Sequence, residues 1–524
     1  MVLGQIELKR LTAIHGWSAV ILGLLLYVVV ATGAVAVFAE EIGRWSAGDV
    51  RAAAPMEQPV DATLRRLARQ VDPENREDVG IWGGEGRDLF LFFHTHKTHP
   101  ESGELEEFGT IFRADSITGQ AIDRHDGFVW RDAPAWEDSA LRRFLVDLHV
   151  QLYLPSPWGL YLTGVLGLMM MAAVVSGVLM HRHVIRDLFV AERSGGRLVG
   201  ARDRHALSSS WSIPFAFLLA FTGSFFSFAG TVGFPIVATV AFGGDQEALS
   251  ATLFEPPVPE DATPSTLANL NAMISDSRAR SGGAPTFVDV SHFGRADARV
   301  TVWHDPSDGG MIYPVNHYDG TTGVWLGAKS TLGNGPSLGS TLYGLMYPLH
   351  FGHFAGLFSK VVWGALGVTM CVVILSGFRL WVRRREGDPA WRRFGQAVQI
   401  VGYGLPVGML VAGFAFFLTR PALDPFFWTP LGFVLGVAVA VALGVRVPDE
   451  RRYGTLAQRL LGTLCLILPV LRLATGGMDW ATALLHGQTD VVTVDLLLLV
   501  AGASLWWFAR PTRTVARLLI EPAE

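Results

Sequence analysis

The chain has 524 residues, of which 50% are hydrophobic and only 17% are charged, and its formal net charge is −5. Soluble proteins carry about 25% charged residues, whereas uncharged apolar runs of about 18 or more residues, several of which occur here, are typical of membrane helices. We therefore predict a polytopic α-helical membrane protein in a lipid bilayer. Nucleic-acid binding is excluded, since no basic tract is interleaved with aromatic residues.

The first part of the chain is predicted to form two membrane helices separated by a small outer domain. Residues 1–45 hold the first helix, and Lys9 and Arg10 ahead of it favour a cytoplasmic N-terminus by the positive-inside rule. Residues 46–148 combine a helical pattern with strand-like patterns, which predicts an α+β domain on the outer side. Residues 149–183 hold the second helix, which returns inward.

The same order of elements then recurs. Residues 184–204 are rich in arginine and predict a cytoplasmic loop. Residues 205–235 hold the third membrane helix, 236–345 a second small α+β domain, and 346–385 the fourth helix. Residues 386–524 hold four further apolar runs, so we predict about eight transmembrane helices with both termini in the cytoplasm.

Motifs at matching positions show that the first two helix–domain–helix units are an internal repeat. The unit is used twice in one orientation, and the last four helices show no match to it. The matching pairs are His15…Thr32-Gly33 with His205…Thr222-Gly223, Ser176-Gly177 with Ser376-Gly377, and Asp115…Gly119 with Asp319…Gly323.

Four histidines stand at the ends of apolar runs, and the repeat matches them in pairs: His15 with His205, and His149 with His350 at a one-residue offset. The predicted topology places the first pair at the cytoplasmic face and the second at the outer face. Two neutral imidazoles from separate helices can fill both axial positions of a haem iron. Small residues nearby, among them Gly33, would make room for the macrocycle.

The sequence therefore predicts two haem b groups, one near each face, which would divide a hydrocarbon core of about 30 Å into shorter electron-transfer steps. Covalent c-type haem is excluded because there is no C-x-x-C-H. The two cysteines, Cys371 and Cys465, lie in apolar runs and argue against a disulfide framework, a zinc site or an iron–sulfur cluster. Against the haem prediction stands the alternative that these are interfacial histidines that bind nothing.

Four other histidines are weaker candidates. His181 is a rival for the inner ligand pair, and His353 is a candidate ligand or propionate partner near the outer pair. His94 and His96 would point to one face of a strand and form a candidate transition-metal site. We favour a solvated edge strand there, because a third ligand would require a turn.

Several spaced motifs resemble the PepSY-associated transmembrane family, over residues 1 to about 385, and the Asp-x-x-x-Gly turns are like those of PepSY domains. The departures are Ala206-Leu207-Ser208 after His205 and the four C-terminal helices. The motifs are His15-Gly16-Trp17…Thr32-Gly33, Asp147-Leu148-His149, Ser176-Gly177-Val178, Asp203…His205 and Tyr347-Pro348-Leu349-His350-Phe351-Gly352.

The resemblance implies a bacterial inner-membrane protein linked to iron uptake, with periplasmic PepSY-like domains. Some family members are similar to ferric-siderophore reductases that carry two b-type haems, and by that resemblance His15, His149, His205 and His350 are the ligand positions. Electrons would pass from quinol or a cytoplasmic donor to a periplasmic ferric chelate or siderophore. The sequence assigns no catalytic residue.

Two alternatives belong to other classes. One is a non-enzymatic PepSY protein that binds or regulates a periplasmic partner. The other is an iron or siderophore transporter, which is disfavoured because Asp495 is the main carboxylate in a predicted span.

Overall fold

A computed structural model describes most of the chain. Eight of the described helices are long and apolar enough to cross a membrane, which confirms the predicted multi-pass helical membrane protein. The described residues are 4–48, 56, 60–84, 87–101, 103, 105–132, 139–180, 197–253, 259–306, 310–329, 333, 337–420 and 422–509.

The elements follow the repeat seen in the sequence. The first unit contains α1 (Gln5–Ala36), α2 (Ala39–Ala47), α3 (Val60–Ala68), β1 (Asp78–Gly83), β2 (Asp88–Thr98), β3 (Leu105–Asp115), β4 (Ala121–Gly127), α4 (Val129–Asp132), α5 (Ala140–Gln151) and α6 (Trp158–Met180). The second unit contains α7 (Arg197–Phe228), α8 (Phe234–Phe242), α9 (Gln246–Leu253), α10 (Leu270–Ser281), β5 (Pro285–Ser291), β6 (Arg299–His304), β7 (Val315–Asp319), β8 (Trp325–Ala328), α11 (Leu338–Phe351) and α12 (Gly356–Arg383).

The C-terminal extension beyond the repeat is helical. It contains α13 (Pro389–Thr419), α14 (Pro425–Arg446), α15 (Glu450–Ala474), α16 (Trp480–Leu485) and α17 (Thr489–Phe508). Four of these helices qualify as membrane spans, and α16 is a short connection between the last two of them.

The two predicted outer domains share one antiparallel sheet in the order β4-β3-β2-β1-β5-β6-β7-β8. The halves join where β1 pairs with β5, for example Ile81 opposite Val288. Helices α3 and α10 cover one face, and Leu64 and Leu270 from these helices are fully buried in the same hydrophobic core as the strand residues. Joining the halves removes two strand edges whose backbone groups would otherwise be unpaired.

The Asp-x-x-x-Gly turns occupy equivalent places in the two halves, as the repeat predicted. Asp115 Oδ1 accepts hydrogen bonds from the backbone N–H groups of Ile117 and Thr118, at 3.0 and 2.7 Å, and Gly119 has a positive φ of 69°. Asp319 and Gly323 form the same turn after β7. The aspartate satisfies the turn's amides and glycine takes the left-handed conformation, which explains the spacing.

Helices α1, α6, α7 and α12 form the central bundle, in which α6 packs on α7 and α1 packs on α12. Their contacts rely on small residues, as is common between membrane helices. A Cβ atom at Gly167 would lie 2.3 Å from Ser224 Oγ, and one at Gly367 would lie 2.9 Å from Ala34 Cβ. We call the end of this bundle that continues into the sheet the sheet end, and the other the opposite end.

Candidate functional site

Each of the four repeat-matched histidines lies against a Ser-Gly or Thr-Gly dipeptide on another helix of its own repeat unit. In each unit, the histidine on the first long helix lies against the dipeptide on the last long helix. The histidine on the short helix before that last helix lies against the dipeptide on the first long helix. The pairs are His15 with Ser176-Gly177, His149 with Thr32-Gly33, His205 with Ser376-Gly377 and His350 with Thr222-Gly223.

The hydrogen bonds of this arrangement engage one nitrogen of each imidazole. His15 Nδ1 lies 3.0 Å from Ser176 Oγ, and His350 Nδ1 lies 2.8 Å from Thr222 Oγ1. His205 Nδ1 lies 3.0 Å from the Ser376 hydroxyl and 3.1 Å from the Val373 carbonyl oxygen. The fourth, His149 Nδ1, lies 3.0 Å from the Val29 carbonyl oxygen and 3.4 Å from Thr32 Oγ1.

The hydroxyl groups determine the tautomer. Each donates its proton to a carbonyl about one turn earlier in its own helix, for example Ser176 Oγ to Ala173 O at 3.0 Å and Thr222 Oγ1 to Leu218 O at 2.8 Å. It therefore accepts from the imidazole, which must carry its proton on Nδ1. Within the described part of the chain, Nε2 of all four histidines has no hydrogen-bond partner, so its lone pair is available to a ligand.

The glycines bring the imidazoles close to the helix backbone. A Cβ atom at Gly33 would lie 2.7 Å from His149 Cε1, at Gly377 3.2 Å from His205 Cε1, and at Gly223 3.3 Å from His350 Cε1. At Gly177 the corresponding distance to the His15 ring is 3.8 Å, which is ordinary contact. These glycines therefore make room for the imidazole rings themselves.

The sheet-end pair shares a cavity in the central bundle. The ring centroids of His149 and His350 are 6.4 Å apart, and their planes differ by 26°. These two imidazoles would hold a group placed between them in the cavity. The cavity wall is mostly apolar and includes Leu26, Val29, Met170, Leu219, Phe226 and Trp363.

Two protein nitrogens across an apolar cavity suit a haem, whose porphyrin supplies the other four nitrogens. They suit a bare metal ion less well, and the described residues contain no group of three His, Cys, Asp or Glu side chains that could hold one. His15 and His205 at the opposite end lie within electrostatic range of each other. His181, the predicted rival of this pair, lies outside the described residues.

His353 does not line the cavity. It lies at the sheet end, where its Nδ1 is 3.0 Å from the Tyr313 hydroxyl and its ring stacks on Phe351 at 5.7 Å. His94 and His96 share one face of β2, as predicted, with ring centroids 6.0 Å apart. No third metal-binding side chain joins these two among the described residues. The expectation of a solvated edge strand is wrong, because β2 pairs with both β1 and β3 and His94 is 8% exposed.

The C-terminal extension contacts the helix that carries His149. Phe433 of α14 packs on Phe144 of α5 at 5.4 Å between ring centroids. Within the extension, Asp495 pairs with Arg472 at 2.7 Å and also accepts a 2.7 Å hydrogen bond from the indole of Trp45 in α2.

One hydrogen bond connects α2 to the start of α5, and another connects the extension to α2. The Ser46 hydroxyl in α2 hydrogen-bonds the Ser139 hydroxyl, which caps α5 by accepting from the Arg142 backbone N–H. Arg420 of the extension donates to the Ser46 carbonyl oxygen. The sequence did not indicate that α2 and the C-terminal extension support α5, because the contacts join segments far apart in the chain.

The fold and the site define a class: a multi-pass helical membrane protein with two histidine pairs in a repeated bundle and a joined sheet at one end. Residues 12–384 match the PepSY-associated transmembrane region. The chain therefore belongs to the PepSY-associated transmembrane family.

A similar protein is an uncharacterised protein of Pseudomonas aeruginosa. It is 28% identical over 394 residues, which cover 70% of this chain and 94% of the relative. The family match ends at residue 384, before the C-terminal extension begins.

Proposed function

We propose that the protein binds two b-type haems, one between His15 and His205 and one between His149 and His350, and conducts electrons across the membrane. The observation that carries the proposal is the repeated histidine arrangement, in which Nδ1–H is held by a hydroxyl or carbonyl oxygen and Nε2 is free. When bound, each haem supplies a one-electron centre in the apolar bundle.

The chain's own residues have three tasks in this proposal. The hydroxyl and carbonyl acceptors orient the imidazoles and raise their basicity through the Nδ1–H hydrogen bonds. The glycines let the rings lie close to the helices, and the apolar wall excludes water. Orientation is thus set before any cofactor enters.

The arginine-rich segments favour an inner membrane in which both termini are cytoplasmic and the sheet is periplasmic. Electrons would then enter from quinol or a cytoplasmic donor at the opposite end and leave at the sheet end. The acceptor we propose is ferric iron in a chelate or siderophore. Each ferric ion would take one electron and become ferrous iron, ready for uptake.

The environment of Asp495 favours electron transfer over proton-coupled import. This carboxylate is 2% exposed, pairs with Arg472 and accepts hydrogen bonds from Trp45 and Trp480. A transport carboxylate must exchange protons or ions during the cycle, whereas this one is fully engaged in packing.

An absorption spectrum of the purified protein tests the proposal. We expect a dithionite-reduced b-type Soret and α band, two haems per chain, and one haem after substitution of either member of a pair by alanine. His486→Ala, at an exposed position on the extension, is the matched control. Absence of haem after expression with excess haem would refute the proposal and favour the non-enzymatic alternative.

The reduction step needs a second assay. Anaerobically reduced protein is mixed with a ferric chelate, while haem oxidation is followed together with ferrous iron in a chromophoric trap. We expect one ferrous ion per haem oxidised. Haem that stays reduced in the presence of ferric hydroxamate, catecholate and citrate chelates would contradict the assigned acceptor.

A further inference from the structure

The sheet has a second face, which α3 and α10 do not cover and on which α4 packs through Val129, and we call it the open face. At its centre, where the two halves join, the ring of Trp82 stacks with three others at small interplanar angles. The centroid distances are 5.6 Å to Phe90, 6.0 Å to Phe287 and 6.3 Å to Trp130. The Trp130 side chain is 65% exposed and Phe90 is 5% exposed, so this stack, the Trp82 platform, reaches solvent at its Trp130 edge.

Three carboxylates lie on the same face. The strand register places Asp78 opposite His94, Asp289 opposite Gly80, and Glu107 opposite His96, and directly opposed residues point to one side. The Phe287 ring lies over Gly80, since a Cβ atom there would lie 3.3 Å from that ring.

Each of these three carboxylates accepts a hydrogen bond at only one of its two oxygens. Asp78 accepts from the His292 N–H at 3.0 Å, Asp289 from the Ser291 hydroxyl at 2.8 Å, and Glu107 from the Trp130 indole. Among the side chains that the structure describes, the second oxygen of each has no hydrogen-bond partner and none of the three forms an ion pair. Burial, followed by the charges of Asp78 and Glu107, raises the pKa of Asp289 to about 6.

The buried imidazole of His94 is the fourth member of the cluster. His94 is 8% exposed, and its Nδ1 has no hydrogen-bond partner among the residues that the structure describes. It lies within electrostatic range of Glu107 and Asp78. Buried polar atoms are normally hydrogen-bonded, so this nitrogen points to a bound group that offers a hydrogen-bonding partner.

We propose that the open face binds an organic ammonium group attached to an aromatic or flat apolar body. A primary ammonium has three N–H donors, which can be shared among the free carboxylate oxygens and His94 Nδ1, while the Trp82 platform contacts the apolar body and attracts the cation. A metal ion fits less well, because it needs ligands at about 2.0–2.6 Å and no three described side chains provide them. This site is independent of haem binding.

Tryptophan fluorescence of the intact, detergent-solubilised protein tests the proposal. The probe is phenethylamine, and its neutral and anionic counterparts are phenethyl alcohol and 3-phenylpropionate. We expect saturable quenching by the amine at pH 7.5, at least about tenfold weaker for Asp289→Asn, because a hydrogen bond to a charged group is lost. Glu74→Gln, an exposed carboxylate change on the same lobe, is the matched control and should bind as wild type.

The pH dependence follows from Asp289. As the pH falls through about 6, this carboxylate gains a proton while the probe stays cationic, so we expect amine binding to weaken about tenfold between pH 7.5 and pH 5. The other titratable groups facing the probe are Asp78, Glu107, His94 and His96, and protonation of these acts in the same direction. Asp289→Asn should therefore show a shallower profile.

Glu107→Gln is a second variant in case Asp289→Asn does not fold, and circular dichroism reports folding for both. Equal quenching by phenethyl alcohol, or unchanged amine binding in both folded variants, would overturn the proposal. Binding of Zn²⁺ or Fe²⁺ with no response to the amine would overturn it as well.

Discussion

An alanine series at the four imidazole-contacting glycines tests the site most directly. A new Cβ atom at Gly33 would lie 2.7 Å from His149 Cε1, whereas ordinary contact begins at 3.4 Å, so the ring must move by about 0.7 Å. Gly377 and Gly223, at 3.2 and 3.3 Å, need a shift of only one or two tenths of an ångström, and Gly177, at 3.8 Å, needs none.

The His149 ring has little freedom to move. Its Nδ1 is bound to the Val29 carbonyl oxygen, and α5 is packed against Phe433 of the extension. Overpacking a well-packed site costs about 1–3 kcal/mol, which corresponds to about 5- to 150-fold weaker haem retention. We therefore expect Gly33→Ala to lose the sheet-end haem and to keep the haem at the opposite end.

Haem content per chain and the reduced spectrum measure the outcome after purification and dilution. The expected order of loss is Gly33→Ala first, Gly377→Ala and Gly223→Ala weaker, and Gly177→Ala indistinguishable from wild type. Two haems with an unchanged spectrum in Gly33→Ala, or a greater loss in Gly177→Ala, would refute the reasoning. The unaffected pair in each variant serves as an internal control for folding.

Three further variants separate the roles of neighbouring residues. Thr222→Val removes the acceptor of the His350 Nδ1–H, so we expect haem to stay bound with a higher midpoint potential in a redox titration; an unchanged potential would contradict this. Asp495→Asn weakens the pairing of Arg472, which is 1% exposed; loss of such a partner costs about 3–5 kcal/mol, and thermal denaturation should show a lower Tm with earlier release of the sheet-end haem. His353→Ala should keep both haems in the pyridine haemochrome assay, and loss of one would make it a ligand.

Much of the fold was predictable because membrane helices are encoded locally. Long apolar runs can only be buried in lipid or protein, so their number and approximate positions follow from hydropathy alone. The Asp115 and Asp319 turns were predictable for a similar reason, since the aspartate and glycine act within five residues. The shared sheet was not, because the pairing of β1 with β5 joins Ile81 to Val288 across about two hundred residues.

In the candidate site too, the sequence predicted the local features and not the contacts between distant segments. The repeat identified the four histidines, and the sheet-end pair meets in the structure as the topology predicted. The four Ser-Gly and Thr-Gly dipeptides were visible as repeat matches, but their use as imidazole partners was not inferred. The pairing of each histidine with its dipeptide could have been proposed from the repeat, since one dipeptide falls on each long helix of the two units.

The sequence by itself determined that this is a multi-pass helical membrane protein, which histidines the repeat matches in pairs, and where its turns lie, because hydropathy, repeat spacing and turn chemistry are short-range properties. The tertiary structure alone decided the acceptors that set the tautomers, the support of α5 by the extension, and the placement of Asp289 and His94 on one open face. Those features depend on distances between atoms far apart in the chain, and only the packing of complete helices and strands sets such distances.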